Sequence, residues 1–260
     1  MNPPVVLQFD GVSVASPIEG SPSVAGIDWQ VLEGQCWVIG GLQGSGKSAV
    51  IEAAAGLRAL SSGGIQLFGV DPTQRTGTEA QSLRRRVGLV FEGSGRLFGG
   101  LSVLENLTLP LQYHEDLSPE DAVNQILPLL EAFDLQPVAG LLPRQLGFGF
   151  SKRVALARAL VLRPEILLVD DPLGGLDAAQ SRTLRRLLMQ LNQGHPWLGH
   201  RPVTLIITAE ELRPFLNLGG QFALVENRRW TSIGTRDDLL ECRTTGVLEL
   251  LADHSEHPPS

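Results

Sequence analysis

Gly41-Leu42-Gln43-Gly44-Ser45-Gly46-Lys47-Ser48 satisfies the spacing G-x-x-x-x-G-K-[ST] at every required position. The residue types specify phosphate chemistry. Glycines let the backbone fold closely around anionic oxygens without a Cβ clash. Successive N–H groups then form an anion nest, and a following helix adds the partial positive charge of its N-terminus. Lys47 reaches the β- and γ-phosphates of a nucleotide, and the Ser48 hydroxyl is a Mg²⁺ ligand of the expected type. The candidate phosphate-binding set is Gly41, Leu42, Gln43, Gly44, Ser45, Gly46, Lys47, Ser48 and Ala49.

Two carboxylates follow far along the chain. Leu167-Leu168-Val169-Asp170 is an apolar run that delivers an aspartate at its end, as in the second element of P-loop NTPases, where the acid serves Mg²⁺. Asp171 comes next and is the candidate general base for an attacking water.

These groups need elements to hold them. Cys36 to Ile39 reads as a buried strand before the glycine loop, and Ala49 to Leu57 as the helix after it. Strands are also expected at Val5 to Phe9, Ile27 to Val31, Ile65 to Phe68, Val87 to Phe91, Ile166 to Val169 and Val203 to Ile207. Phe222 to Val225 and Trp230 to Ile233 form a hairpin around Asn227-Arg228-Arg229. Between about Glu92 and Leu160 the pattern is helical. Ser118-Pro119-Glu120-Asp121 is a capped start, and Val123, Ile126, Leu127, Leu130 and Phe133 are expected on one buried face. A further helix runs from about Ala178 to Asn192. Alternating strands and helices imply an α/β fold with a mainly parallel sheet, antiparallel β strands near the N-terminus and an inserted helical subdomain.

With 260 residues, 43% hydrophobic, the chain is long enough for one large core with a subdomain. A net charge of -7 lacks the basic footprint of a nucleic-acid binder. The densest basic run, Arg84-Arg85-Arg86, reads as a solvated edge. Two cysteines are too few for a disulfide scaffold, and Cys36 reads as a small buried hydrophobe. No signal peptide is expected from Met1-Asn2-Pro3-Pro4, and no run of ~18 apolar residues marks a membrane span. The tail, His254 to Ser260, is expected to fray.

The order of motifs resembles the nucleotide-binding subunit of an ATP-binding cassette (ABC) transporter, over roughly residues 5 to 242. Gly41 to Ser48 is similar to the Walker A loop, and Val87 to Glu92 to the segment entering the Q-loop. Leu97-Phe98 through Leu111 resembles the stretch placed against a membrane subunit. Arg153 to Leu160 resembles the helix after the family signature. Asp170-Asp171-Pro172 and Gly174-Gly175-Leu176-Asp177 are similar to Walker B and the D-loop. Glu105 to Leu111 also resembles cassettes of lipid-trafficking and lipoprotein-release systems. The resemblance implies a single ABC-type ATP-binding domain over 1–242, the P-loop NTPase (ABC ATPase) core with 92–160 as its helical subdomain, then a short C-terminal helix or tail over 243–260. It also implies ATP and Mg²⁺ as cofactors, with Ser48, Asp170 and Glu92 around the metal. The partners implied are membrane-spanning transporter subunits and a second cassette, homo- or heterodimeric. The location implied is peripheral, on the cytoplasmic face of the cell membrane.

The chain departs from the family pattern in its signature motif and at four single positions. The signature Leu-Ser-Gly-Gly-Gln reads Leu146-Gly147-Phe148-Gly149-Phe150. The Q-loop glutamine is Glu92, the catalytic glutamate is Asp171, and the switch histidine is Ala209. Ser16 stands where an adenine-stacking aromatic belongs. A donor lost from a transition state typically costs about 10²–10³ in rate, and a carboxylate misplaced by about 1 Å about a hundredfold. The expected function is therefore an ATP-binding transporter subunit with slow or partner-dependent hydrolysis, most simply in a heterodimer with an intact cassette. The alternative is a non-catalytic, ATP-responsive scaffold or regulatory subunit. A soluble cassette acting on nucleic acid or ribosomes fits the acidic charge less well.

Overall fold

In this computed structural model, residues 3–16 and 23–252 are described, so the expectation for the tail from His254 falls outside them. In chain order the regular elements are β1 (Val5–Val14), β2 (Val24–Leu32), β3 (Cys36–Gly40), α1 (Lys47–Ala54), β4 (Leu60–Leu67), α2 (Gly77–Arg85), β5 (Val87–Val90), α3 (Val103–Glu115), α4 (Pro119–Ala132), α5 (Phe148–Leu160), β6 (Ile166–Val169), α6 (Ala178–Gln193), β7 (Thr204–Ala209), β8 (Gln221–Glu226), β9 (Arg229–Gly234), α7 (Arg236–Glu241) and α8 (Thr245–Leu251). They fall into two units, Met1–Thr76 with Leu205–Ser260, and Gly77–Thr204.

The first unit is built on a mixed sheet. β3 is buried along its whole length and pairs in parallel with β7 on one side and β8 on the other, Val38 facing Ile207 and Phe222. A strand buried on both faces should be continuously apolar, and Cys-Trp-Val-Ile-Gly is. β8 and β9 are antiparallel, and their connecting residues Asn227 and Arg228 both take positive φ, as a tight two-residue hairpin turn requires. β1 pairs antiparallel with β2 and with β4, Phe9 facing Trp29 and Ile65. In β2, Ile27, Trp29 and Val31 are buried while Asp28 and Gln30 are exposed, so one face is wet and one dry. The dry side carries an aromatic cluster: Trp29 lies 5.4 Å from Phe9, 5.5 Å from Trp37 and 4.9 Å from Trp230, ring centre to ring centre. After β7, the Leu212 N–H donates to the Leu250 carbonyl of α8 at 2.8 Å. The side chains of Leu212 and Leu250 close over Gly40, so a Cβ there would lie 2.9–3.0 Å from their methyls.

The second unit holds α2 to α6 and the parallel pair β5–β6, in register from Val87 and Ile166 to Val90 and Val169. Its helix starts follow side-chain chemistry. Ser118 accepts from the Asp121 N–H at 3.1 Å and donates to the same carboxylate at 2.6 Å, capping α4. Ser102 and Glu105 form a capping box on α3.

Three expectations are corrected here. The buried face of α4 is Ala122, Ile126, Leu129, Leu130 and Phe133, while Leu127 is 51% exposed; the stripe is rotated by about one residue from the one read in the sequence. β1 and β4 are longer than their apolar cores because each pairs with the other through polar and glycine positions, out to Val14 and Leu60. The basic run is solvated only in part: Arg84 is exposed, while Arg85 and Arg86 are half-buried. Arg86 holds Glu165 through two hydrogen bonds of 2.6 and 2.9 Å, and Arg85 donates to the His114 carbonyl at 3.1 Å.

Candidate functional site

In the first unit the glycine loop leaves the carboxyl end of β3 and runs into α1. Gly46 precedes the helix with φ +110° and, being glycine, supplies no side-chain cap to the first amides. A Cβ on Gly46 would fall 2.5 Å from Val24 Cγ2 and 3.0 Å from the Ser23 carbonyl, so only glycine fits that turn. Lys47 is 6% exposed. Its ammonium donates to the carbonyls of Gly41 at 2.6 Å and Leu42 at 2.9 Å, and lies 3.9 Å from Glu210 Oε1. Among the described residues Ser45 Oγ is buried with no hydrogen-bond partner. Uncapped helix amides, a lysine folded onto its own loop and an orphaned hydroxyl fit a phosphate group. A cleft of about 300 Å³ borders the loop, lined by Gly41, Leu42, Ser45, Asn227, Arg228 and Glu249 among others.

Ala209 ends β7 directly opposite Gly40 and is 1% exposed. The register thus places Ala209, the candidate switch position, beside the root of the loop, and its methyl side chain offers no donor. Ser16 follows β1 and is half-buried.

In the second unit β6 delivers Asp170, 7% exposed, whose N–H donates to the Val90 carbonyl at 2.9 Å. Asp171 takes φ +41°, the left-handed region, in front of Pro172. Its carboxylate lies against Gly174: a Cβ on that glycine would fall 1.8 Å from Asp171 Oδ2. Lys152, on α5 and 4% exposed, donates to the Asp171 carbonyl at 2.5 Å. Burial pulls its ammonium below the usual lysine range, against the opposing pull of Asp171, Glu92 and Asp170. Glu92, just beyond β5, is exposed.

At the candidate signature position, Gly147 precedes α5 without a side-chain cap. Phe148 is 42% exposed, and its ring lies against Gly175, where a Cβ would be 2.7 Å from Cε1. Gly149 faces the Gln180 side chain, whose Cδ would lie 2.9 Å from a Cβ built there. The Phe150 ring lies 4.3 Å from the Arg153 guanidinium, and Arg153 also pairs with Asp134 at 3.6 Å. The second unit therefore gathers Glu92, Asp170, Asp171 and the signature residues, while the first gathers Gly41 to Ala49 with Ala209.

Sequence reasoning overlooked Lys152 and Glu210. Lys152 was detectable: it lies four and eight residues before Leu156 and Leu160, so it falls on their buried face. Glu210 carries no sequence signal of its own; only the β3–β7 register brings it to Lys47.

A strand, glycine loop and helix with a lysine folded into the cradle define a P-loop nucleotide-binding protein. The chain belongs to the ABC transporter family, whose model matches residues 24–174. It is 28% identical over 233 residues to the intermembrane phospholipid transport system ATP-binding protein MlaF of Haemophilus influenzae, covering 89% of this chain and 85% of that one. It is 31% identical over 230 residues to the sulfate/thiosulfate import ATP-binding protein CysA of Caulobacter vibrioides, covering 87% of this chain and 64% of CysA, so it spans less than two thirds of the latter. The ATP-binding cassette MJ0796, solved as a dimer bound to ADP and Pi, has the same fold, with a TM-score of 0.76 at 24% identity over 87% of this chain and 98% of that one. Among the described residues no helix is long and apolar enough to cross a membrane.

Proposed function

We propose that this chain is the ATP-binding subunit of a membrane transporter, that it binds Mg·ATP firmly, and that it hydrolyses ATP slowly or only with a partner cassette. The observation that carries the reading is the contrast between the phosphate loop and the positions assigned to the reaction. The loop carries its glycines, Lys47 and Ser48, whereas the positions we assign to the reaction hold Asp171, Phe148 and Ala209. Bound Mg·ATP would supply the phosphoanhydride and its charge. The amides of Gly44 to Ala49 and the Lys47 ammonium neutralise that charge, and we assign Ser48, Asp170 and Glu92 as the oxygen donors for Mg²⁺. Asp171 is the base we assign to the attacking water. Membrane subunits and a second cassette are the partners assigned, with the chain peripheral on the cytoplasmic face. The transported substrate belongs to those partners, and the resemblance to MlaF favours a lipid among the candidates.

Phosphate release by the purified chain, beside Lys47→Ala, with melting followed in the same samples, tests this reading. ATP bound at about 100 times its Kd raises stability by about 2.7 kcal/mol. A melting shift that disappears in Lys47→Ala is expected. No shift in the wild type would sink the proposal. A shift with no turnover, even beside membrane subunits and a second cassette, would favour the ATP-responsive scaffold, the reading that the Phe148 ring over Gly175 best supports.

A further inference from the structure

We propose that Lys152 is a positioning residue: its ammonium fixes the Asp171 peptide and ties it to the Phe148 end of α5. The inference rests on the assignment of Asp171 as the base. Three contacts carry it, all within Gly77–Thr204. The Lys152 ammonium is buried and donates to the Asp171 carbonyl at 2.5 Å. The Phe148 ring centre lies 5.2 Å from the same ammonium, inside the ~6 Å over which a ring face attracts a cation. That ring covers Gly175, and the Asp171 carboxylate covers Gly174.

The local chemistry explains why Asp171 needs a holder. Its φ is +41°, a conformation an L-residue leaves when free to do so, though aspartate tolerates it better than most. The next residue is Pro172, which restricts the backbone of the residue before it and offers no N–H to the turn. A fixed donor on the Asp171 carbonyl sets the peptide plane and hence the direction of the carboxylate. A lysine on an apolar helix face is costly to bury unless partnered, and this one has a carbonyl, an aromatic face and the nearby acids Asp171, Glu92 and Asp170. The departures from the family pattern thus fit one another. The ring at position 148 needs glycine at 175, and the inward carboxylate at 171 needs glycine at 174. Lys152 links the two, so that movement of the signature end of α5 is carried to Asp171.

Amide hydrogen exchange of the full-length chain, read on peptides covering 170–177, tests the link in wild type, Lys152→Met, Lys152→Arg and Phe148→Gly. Methionine keeps the length of the stem and removes the donor; arginine keeps a donor. The Leu176 N–H, bonded to the Leu173 carbonyl at 3.1 Å, reports on the turn. Exchange in 170–177 is expected to quicken about tenfold or more in Lys152→Met, with the melting temperature unchanged or raised, and to return to the wild-type rate in Lys152→Arg. Phe148→Gly is expected to quicken the same segment to a smaller degree. An unchanged 170–177 segment in Lys152→Met would overturn the proposal, as would faster exchange spread over the whole chain with a lowered melting temperature. The readout needs no nucleotide, so absence of ATP binding in the same preparation would remove the functional reading and leave this result standing.

Discussion

The Lys47 ammonium lies 3.9 Å from the carboxylate of Glu210, the residue after Ala209. The lysine is buried and the glutamate half-exposed, so the pair is one-sided. Glu210 competes for a cation that the phosphates need. Glu210→Gln is expected to tighten Mg·ATP binding. The gain is modest, because an ion pair with one exposed partner contributes about 0–1 kcal/mol, which caps the gain at about fivefold. Calorimetric titration checks it; weaker binding in the variant would mean that Glu210 supports the nucleotide.

Gly46→Ala is expected to cost about 1–3 kcal/mol of stability, the usual range for forcing a side chain into a left-handed turn. The new methyl would meet Val24 and the Ser23 carbonyl as well. The ATP-induced melting shift should vanish. A variant that melts like the wild type and still responds to ATP would contradict the geometry of the loop.

The two thiols should react very differently. Burial pushes Cys36 up to about 12, so it stays protonated and covered at any working pH. Cys242 is more accessible, and its bond to the Thr244 hydroxyl at 3.3 Å draws its pKa below the usual thiol value. Alkylation near pH 8 is expected to label Cys242 alone, with Cys36 appearing only in denaturant. Mass spectrometry of the labelled peptides decides it.

Glu165 gives the acid side of the stability profile. The Arg86 hydrogen bonds hold its carboxyl below the ordinary glutamate range. Its folded pKa is therefore the lower one, so the stabilisation is complete above the unfolded value of ~4.3 and is lost as pH falls through the folded value. With side chains 39% and 35% exposed, the contribution is at most about 1 kcal/mol. The melting difference between wild type and Glu165→Gln should be widest at neutral pH and close on acidification. A difference that widens in acid would reverse the sign.

What the sequence made legible and what it did not divide along physical lines. The strand from Cys36, the glycine loop and the helix after it were readable because each is set by local chemistry: a continuous apolar run, residues that permit the turn, and a helix start. Asp170 was readable because β6 is buried on both faces. The ends of β1 and β4 were not, since their polar and glycine positions are strands only by pairing with each other. Arg86 was misread because its partner lies 79 residues away in sequence. Of the candidate site, residue types were legible and orientations were not. Nothing in Asp171-Pro172 reveals a left-handed backbone, and nothing in Phe148 reveals a ring turned onto a glycine of its own chain.

The hydrogen bond from Leu212 to Leu250 has a consequence for how short this protein can be made. A chain ended after Cys242 would lose the carbonyl that the Leu212 amide uses and one of the two leucines that roof Gly40. The segment carrying Glu210 would lose one backbone tether, and Gly40 at the root of the phosphate loop would keep Leu212 but lose Leu250 from its cover. The last described helix is therefore a keystone rather than an appendage: proteolysis or an early stop there is expected to act on nucleotide affinity from about two hundred residues away in sequence.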